Sequence, residues 1–218
     1  MKKIIILILL FNITALFAGD VSRKGTTGAD QLFIPVGARS IATSGAFVAS
    51  VMGTESIYYN PAGLNRSQSS EAMFSYMNYI ADINISYIGV AGYLGEMGSI
   101  GFFMKTFDFG NIEQTTIDNP DGVGITYSPA YYTFGLTYSK LVTDRVSVGV
   151  NLKLISESIM NTSATGFAVD FGVQYAFTND FHIGVVVNNV GANMKYSGPD
   201  LQVKTVVPGT YPGSTTAA

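Results

Sequence analysis

The sequence predicts an all-β fold, an antiparallel up-and-down transmembrane β-barrel with a small helical N-terminal hatch segment, and three observations lead there. First, residues 144–191 alternate almost strictly. In Arg145–Leu154 every even position is Val or Leu and the odd ones are Arg, Ser, Gly, Asn and Lys. Successive strand side chains point to opposite faces, so one face is aliphatic and the other small or polar. Second, the alternating segments are about as long as the roughly 9–11 tilted residues that cross a bilayer, longer than the usual 5–6. Third, Asp, Glu, Lys and Arg make up 12% of the 218 residues, about half of the roughly 25% usual for soluble domains.

Periodicity alone does not decide which face meets a core. A soluble sandwich or lipocalin-like barrel would bury the aliphatic face, and charge content favours the membrane reading.

The chain opens with Met1-Lys2-Lys3, an apolar run from Ile4 to Leu10, and small residues around Ala18. This is the pattern of a secretory signal peptide over residues 1–18, cut near Ala18 or Gly19. Asn12 and Thr14 interrupt the run, which falls short of the roughly 20 apolar residues of a helical span. No other stretch suits a transmembrane helix, so membrane residence would come from strands, in a bacterial-type outer membrane. Cysteine is absent, which removes disulfides, thiolate metal sites and cysteine nucleophiles. A net charge of −3 argues against a nucleic-acid partner, for which a basic patch is expected.

Residues 19–70 read as a hatch or plug. Helix-compatible spacing occurs in Gly37–Ala42 and again in Ala46–Val51, and Asn60-Pro61-Ala62-Gly63-Leu64 closes the section with a turn. Strands are expected over 72–80, 84–94, 99–109, 132–139, 145–154, 167–177 and 181–187, with an eighth candidate near 201–207. Ile100, Phe102 and Met104 oppose Ser99, Gly101 and Lys105; Phe167 to Phe177 alternate with Ala168, Asp170, Gly172, Gln174 and Ala176. Val186 is the one exception in the last strand. With the N-terminus in the periplasm, the periplasmic turns should be short, at 95–98, 143–144 and 178–180. The outer loops should be long, starting near Gly110, Glu157 and Gly191, with Ala81-Asp82 departing from the rule. Domain 71–218 is therefore expected to hold the barrel strands. Seven or eight strands and a small, polar ending favour the N-terminal half of a larger barrel over a complete eight-stranded one.

Catalysis has little support. His182 is the sole histidine, no Gly-x-Ser-x-Gly elbow occurs, and a hydrogen-bonded structural role is expected for it. Asp118–Gly122 does not place calcium ligands correctly and reads as a loop turn. No cofactor or metal is expected. Lys105, Lys153 and Asp170, with Glu157 beside them, fall on the inner face, either setting lumen polarity and holding the hatch or pairing with one another; pairing is the favoured reading. Tyr132, Tyr138, Tyr175 and Phe177 suit either an interfacial girdle or ordinary sheet packing.

Val36–Ala42, Gly45–Ala49 and Tyr58–Leu64, followed by a meander, resemble the N-terminal signature of the PorV/PorQ family within the FadL-like outer-membrane barrels. The likeness continues through Asp108–Glu113, Leu141–Lys153, Asp170–Val173 and Asn188–Gly191. The resemblance implies a barrel of about fourteen strands, within the even counts such barrels take, with the N-terminal segment as hatch and Asn60, Pro61, Ala62, Gly63 and Leu64 as its motif. It further implies a non-enzymatic protein in the lipid of the outer membrane, serving type IX-like secretion by binding cargo proteins or secretion-system components. The alternative it carries is a FadL-like channel for hydrophobic small molecules. A soluble β-barrel binding module is the third class.

Overall fold

The computed structural model describes residues 28–178 and 180–201, and the backbone of 204–205 and 216–217. The expected signal peptide, residues 1–18, lies outside the described residues. So do 19–27 of the expected hatch and most of the eighth strand candidate.

The chain forms one antiparallel meander. Its strands are β1 (Glu71–Asn78), β2 (Asn84–Tyr93), β3 (Ser99–Asp108), β4 (Ile112–Glu113), β5 (Thr126–Tyr127), β6 (Ala130–Thr143), β7 (Val146–Ile159), β8 (Thr162–Ala176) and β9 (His182–Gly191). Seven of them pair in the order β1-β2-β3-β6-β7-β8-β9, while β4 and β5 form a separate hairpin inside the β3–β6 connection. All seven strands expected from the alternation are present. The sheet is open among the described residues, with β1 and β9 as its edges. Because each pairing is antiparallel, β1 and β9 run the same way, and antiparallel closure needs an odd number of further strands. At the eighth strand candidate, Leu201 sits in a 3-10 turn and Lys204–Thr205 pairs with Thr216–Ala217 outside the large sheet.

The connections correct one expectation. Instead of a long loop from Glu157, β7 runs on to Ile159 and β8 begins at Thr162, so Met160-Asn161 is a tight turn with Met160 at φ 53°. Ser156, Ser158 and Glu157 pair with Thr165, Ser163 and Ala164, so polar side chains continue the ladder beyond the aliphatic stretch. The 109–129 connection is long, as expected.

The N-terminal segment lies across one face of the sheet. Its ordered pieces are short: helices Ala38–Ala42 and Ser56–Tyr59 and 3-10 turns at Asp30–Phe33, Gly53–Glu55 and Pro61–Arg66. The helix expected over Ala46–Val51 is replaced by consecutive turns. Ser44 and Gly45, at φ 52° and 72°, take the left-handed conformation that ends a helix.

The two sheet faces divide by chemistry in the opposite sense to a soluble sheet. Ser99, Lys105, Thr133, Thr137, Ser139, Ser147, Asn151, Lys153, Glu157, Asp170 and Gln174 lie buried beneath the N-terminal segment. Ile100, Phe102, Leu136, Leu152, Leu154, Phe167, Phe171 and Val187 are exposed on the other face. The apolar side chains of that face, exposed or half-buried, align in rows: Ile100-Tyr138-Val150-Phe171-Val187, then Phe102-Leu136-Leu152-Val169-Val190, then Met104-Phe134-Leu154-Phe167. The next rows turn polar, at Thr106-Tyr132-Ser156-Thr165 and Asp108-Ala130-Ser158-Ser163. Along β7 the apolar band runs from Val146 to Leu154, about 27 Å at roughly 3.4 Å per residue.

Candidate functional site

The covered face is polar because of what covers it. A segment with little regular structure leaves carbonyl oxygens without partners, and buried ones need donors. The sheet supplies them. Ser139 Oγ donates to the Ala62 carbonyl at 3.0 Å and Ser147 Oγ donates to the same oxygen. Gln174 Nε2 donates to the carbonyls of Val48 and Val51, both at 2.9 Å, and Asn151 Nδ2 reaches Ile57 O at 3.4 Å.

The Asn60–Leu64 motif sits at the centre of this contact. Asn60 is fully buried. Its Oδ1 accepts from the Ala62 N–H at 3.2 Å, capping the 3-10 turn that Pro61 opens. Its Nδ2 donates to Val48 O at 3.0 Å and to Val173 O of β8 at 3.3 Å. Gly149 and Gly172, partners across β7 and β8, form the floor under Asn60 and Pro61. A Cβ on Gly149 would collide with the Pro61 and Ala62 backbone, and one on Gly172 with the Asn60 side chain. Ala62 is fully buried, and Gly63 faces the same limit, since a Cβ there would strike the Val51 carbonyl. Leu64 anchors the segment in an apolar cluster with Val36, Ile57, Tyr58, Tyr87 and Phe103.

The structure places the three charged residues expected inside on the covered face, in two different environments. Lys153 and Asp170 pair at 2.7 Å, both nearly inaccessible. Asp170 also accepts from Asn151 Nδ2 at 3.0 Å and from the Asn189 N–H at 2.8 Å, while Lys153 donates to Asn189 Oδ1 at 2.8 Å. Asn189 reaches both because the β8–β9 register shifts there and its backbone is left-handed, φ 59°. Lys105 has a different role. Its Nζ donates to the carbonyls of Gln31 at 2.9 Å and Ile34 at 2.5 Å and to Tyr58 Oη at 3.1 Å. It thus holds the N-terminal segment rather than pairing with a carboxylate. Tyr58 lies within 4.8 Å of Lys105 Nζ and 5.9 Å of Lys153 Nζ, ring centroid to nitrogen. Burial raises its phenol above the ordinary value, so it stays protonated, its one hydrogen shared between Leu32 O and Ile34 O.

Glu157 clamps both neighbours of the sheet. One carboxylate oxygen accepts from the Ala29 N–H at 2.9 Å and the other from Tyr196 Oη, in the segment that folds back after β9. Burial, then the Glu157 hydrogen bond, raises the Tyr196 phenol. Beside this clamp a cavity of about 430 Å³ opens between the N-terminal segment and Tyr79, Ile83, Phe107, Phe109 and Tyr131.

At the opposite end Arg66 donates to Gln174 Oε1 and approaches His182 Nδ1, each at 3.2 Å, so His182 sits in a hydrogen-bonded network. Asp118–Gly122 is a turn, with Asn119 and Gly122 N–H bonded to Thr116 O and Asn119 O. Among the described residues no cluster of His, Cys, Asp or Glu could hold a metal. Tyr132 stands at the polar edge of the exposed band, whereas Tyr138 lies inside it, donating to Met97 O at 2.6 Å.

Gln174, Ser139, Ser147 and Asn189 were not singled out by the sequence reading. The alternation places Gln174, Ser139 and Ser147 on the small, polar face but not the carbonyls they serve; Asn189 reaches that face only through the register shift in β9. No protein-family model matches the sequence, and no curated protein matches it.

Proposed function

We propose that the chain is a wall of an outer-membrane β-barrel of the PorV/PorQ type, plugged by its own N-terminal segment and non-enzymatic, that takes part in type IX-like protein export. The observation that carries this reading is the inverted sheet. Its outer face carries an apolar band along nine residues of β7 that gives way to polar rows beyond Leu154, which suits the roughly 9–11 tilted residues of a bilayer crossing. Its covered face is polar and floored by glycine where the Asn60–Leu64 motif rests. In water such an exposed face would be an aggregation hazard; in lipid it is the stable orientation. The network of donors that grips the N-terminal segment supports a closed resting state. Contact with cargo proteins or secretion components then falls to the loops, foremost the long 109–129 connection with its hairpin and the fully exposed Ile117.

Cross-linking the tagged protein in intact outer membranes tests this. Recovery of secretion components or secreted cargo is expected; recovery of neither counts against it.

A second reading, a FadL-like channel for hydrophobic small molecules, is favoured by the aromatic cavity against the N-terminal segment. Uptake of an apolar solute into liposomes that does not change when the segment is loosened removes it.

A further inference from the structure

We infer that the cavity bounded by Phe109, Tyr131, Gln31 and Glu157 binds an apolar group carrying an ammonium with a carbonyl beside it, the chemistry of a peptide's amino-terminal residue. The inference goes beyond the export reading and stands without it. At about 430 Å³ the space lies within the roughly 300–1,000 Å³ range of small-ligand sites. Its wall is aromatic: Phe109 and Tyr131 meet edge to face at 4.8 Å and Phe107 stacks on Phe109 at 6.2 Å. Aromatic faces attract cations and hold apolar groups.

The charge of the lining selects among apolar ligands. Glu157 lines the cavity, and among the described residues no basic side chain does. Glu157 is 1% exposed, and its two oxygens accept from Ala29 and Tyr196, neutral donors that leave its charge uncompensated. A buried charge in that position favours a cationic partner. Among the described residues Lys105 approaches this wall, 5.2 Å from the Phe107 centroid, and its ammonium is spent on Gln31 O, Ile34 O and Tyr58. A carboxylate ligand would have to break that grip. Gln31 completes the description. It lines the cavity, is 5% exposed, and its Nε2 has no partner, so it asks for an oxygen acceptor.

The test is calorimetric titration of the full chain in detergent with three probes of one skeleton: phenylalaninamide, N-acetylphenylalaninamide and 3-phenylpropionate. The expected result is that phenylalaninamide binds at least tenfold tighter than the other two and loses at least fivefold on Glu157→Gln. Should that variant not fold, Gln31→Met, which removes the unpartnered Nε2 donor from the lining, carries the same expectation. Equal or reversed preference, no binding, or an unchanged affinity in the folded variant overturns the inference. A preference for 3-phenylpropionate would do so while leaving the barrel and export reading intact.

Discussion

Gly149 and Gly172 face one another across β7 and β8, and the gap their missing side chains leave is filled by the Pro61-Ala62 backbone and the Asn60 and Pro61 side chains. Valine at Gly172, or leucine at Gly149, should therefore push the motif off its floor and cost about 1–3 kcal/mol, as overpacking does. Urea unfolding in detergent measures this. Val173→Leu, next door on the exposed face, should stay within about 0.5 kcal/mol.

Lys105→Met should loosen the N-terminal segment without unfolding the sheet. The substitution keeps the stem, takes from the Gln31 carbonyl its Lys105 donor and leaves the Ile34 carbonyl with Tyr58 Oη, at a cost of about 1–3 kcal/mol. Limited proteolysis should then cut near residues 31–34 earlier than in the parent, while the far-UV circular dichroism of the β-sheet is retained.

The Lys153–Asp170 pair should behave as a unit. Lys153→Met leaves Asp170 buried with only Asn151 and Asn189 for support, and losing one partner of a buried pair costs about 3–5 kcal/mol. Asp170→Asn on top of it should recover part of that loss. A double-mutant cycle reading simple additivity would mean that the two charges are not coupled.

Much of this was legible in the sequence, because a period of two is a direct imprint of strand geometry. The alternation in Arg145–Leu154 and Phe167–Phe177 gave both the strands and their two faces. What it could not give was the far end of β7 and β8, where Ser156, Ser158, Thr162 and Thr165 carry no aliphatic signal and the ladder continues through backbone pairing alone. The bulge at Asn189 was equally silent, since it depends on Asp170 and Lys153 across the sheet. Val186, the exception to the pattern, faces the covered side with Gly184 and His182, where the N-terminal segment packs. Lys105 and Lys153 look alike in sequence; only the segment laid over them separates a latch from an ion pair.

An arginine on the apolar band should cost more than one beyond its edge. Leu152→Arg is expected to destabilise folding into bilayers by about 2–4 kcal/mol, and Ser158→Arg by about 0–1 kcal/mol, following the depth dependence of lipid-facing charge. Equal costs would mean that the band does not lie in lipid.

The most direct measurement is made possible by the absence of native cysteine: one spin label at Leu152→Cys, read by power saturation in reconstituted bilayers. A label reached by oxygen and shielded from a water-soluble nickel chelate is the predicted result, because Leu152 stands in the middle of the exposed apolar rows. A label relaxed by the nickel chelate and no more by oxygen would place that face in water and contradict the account.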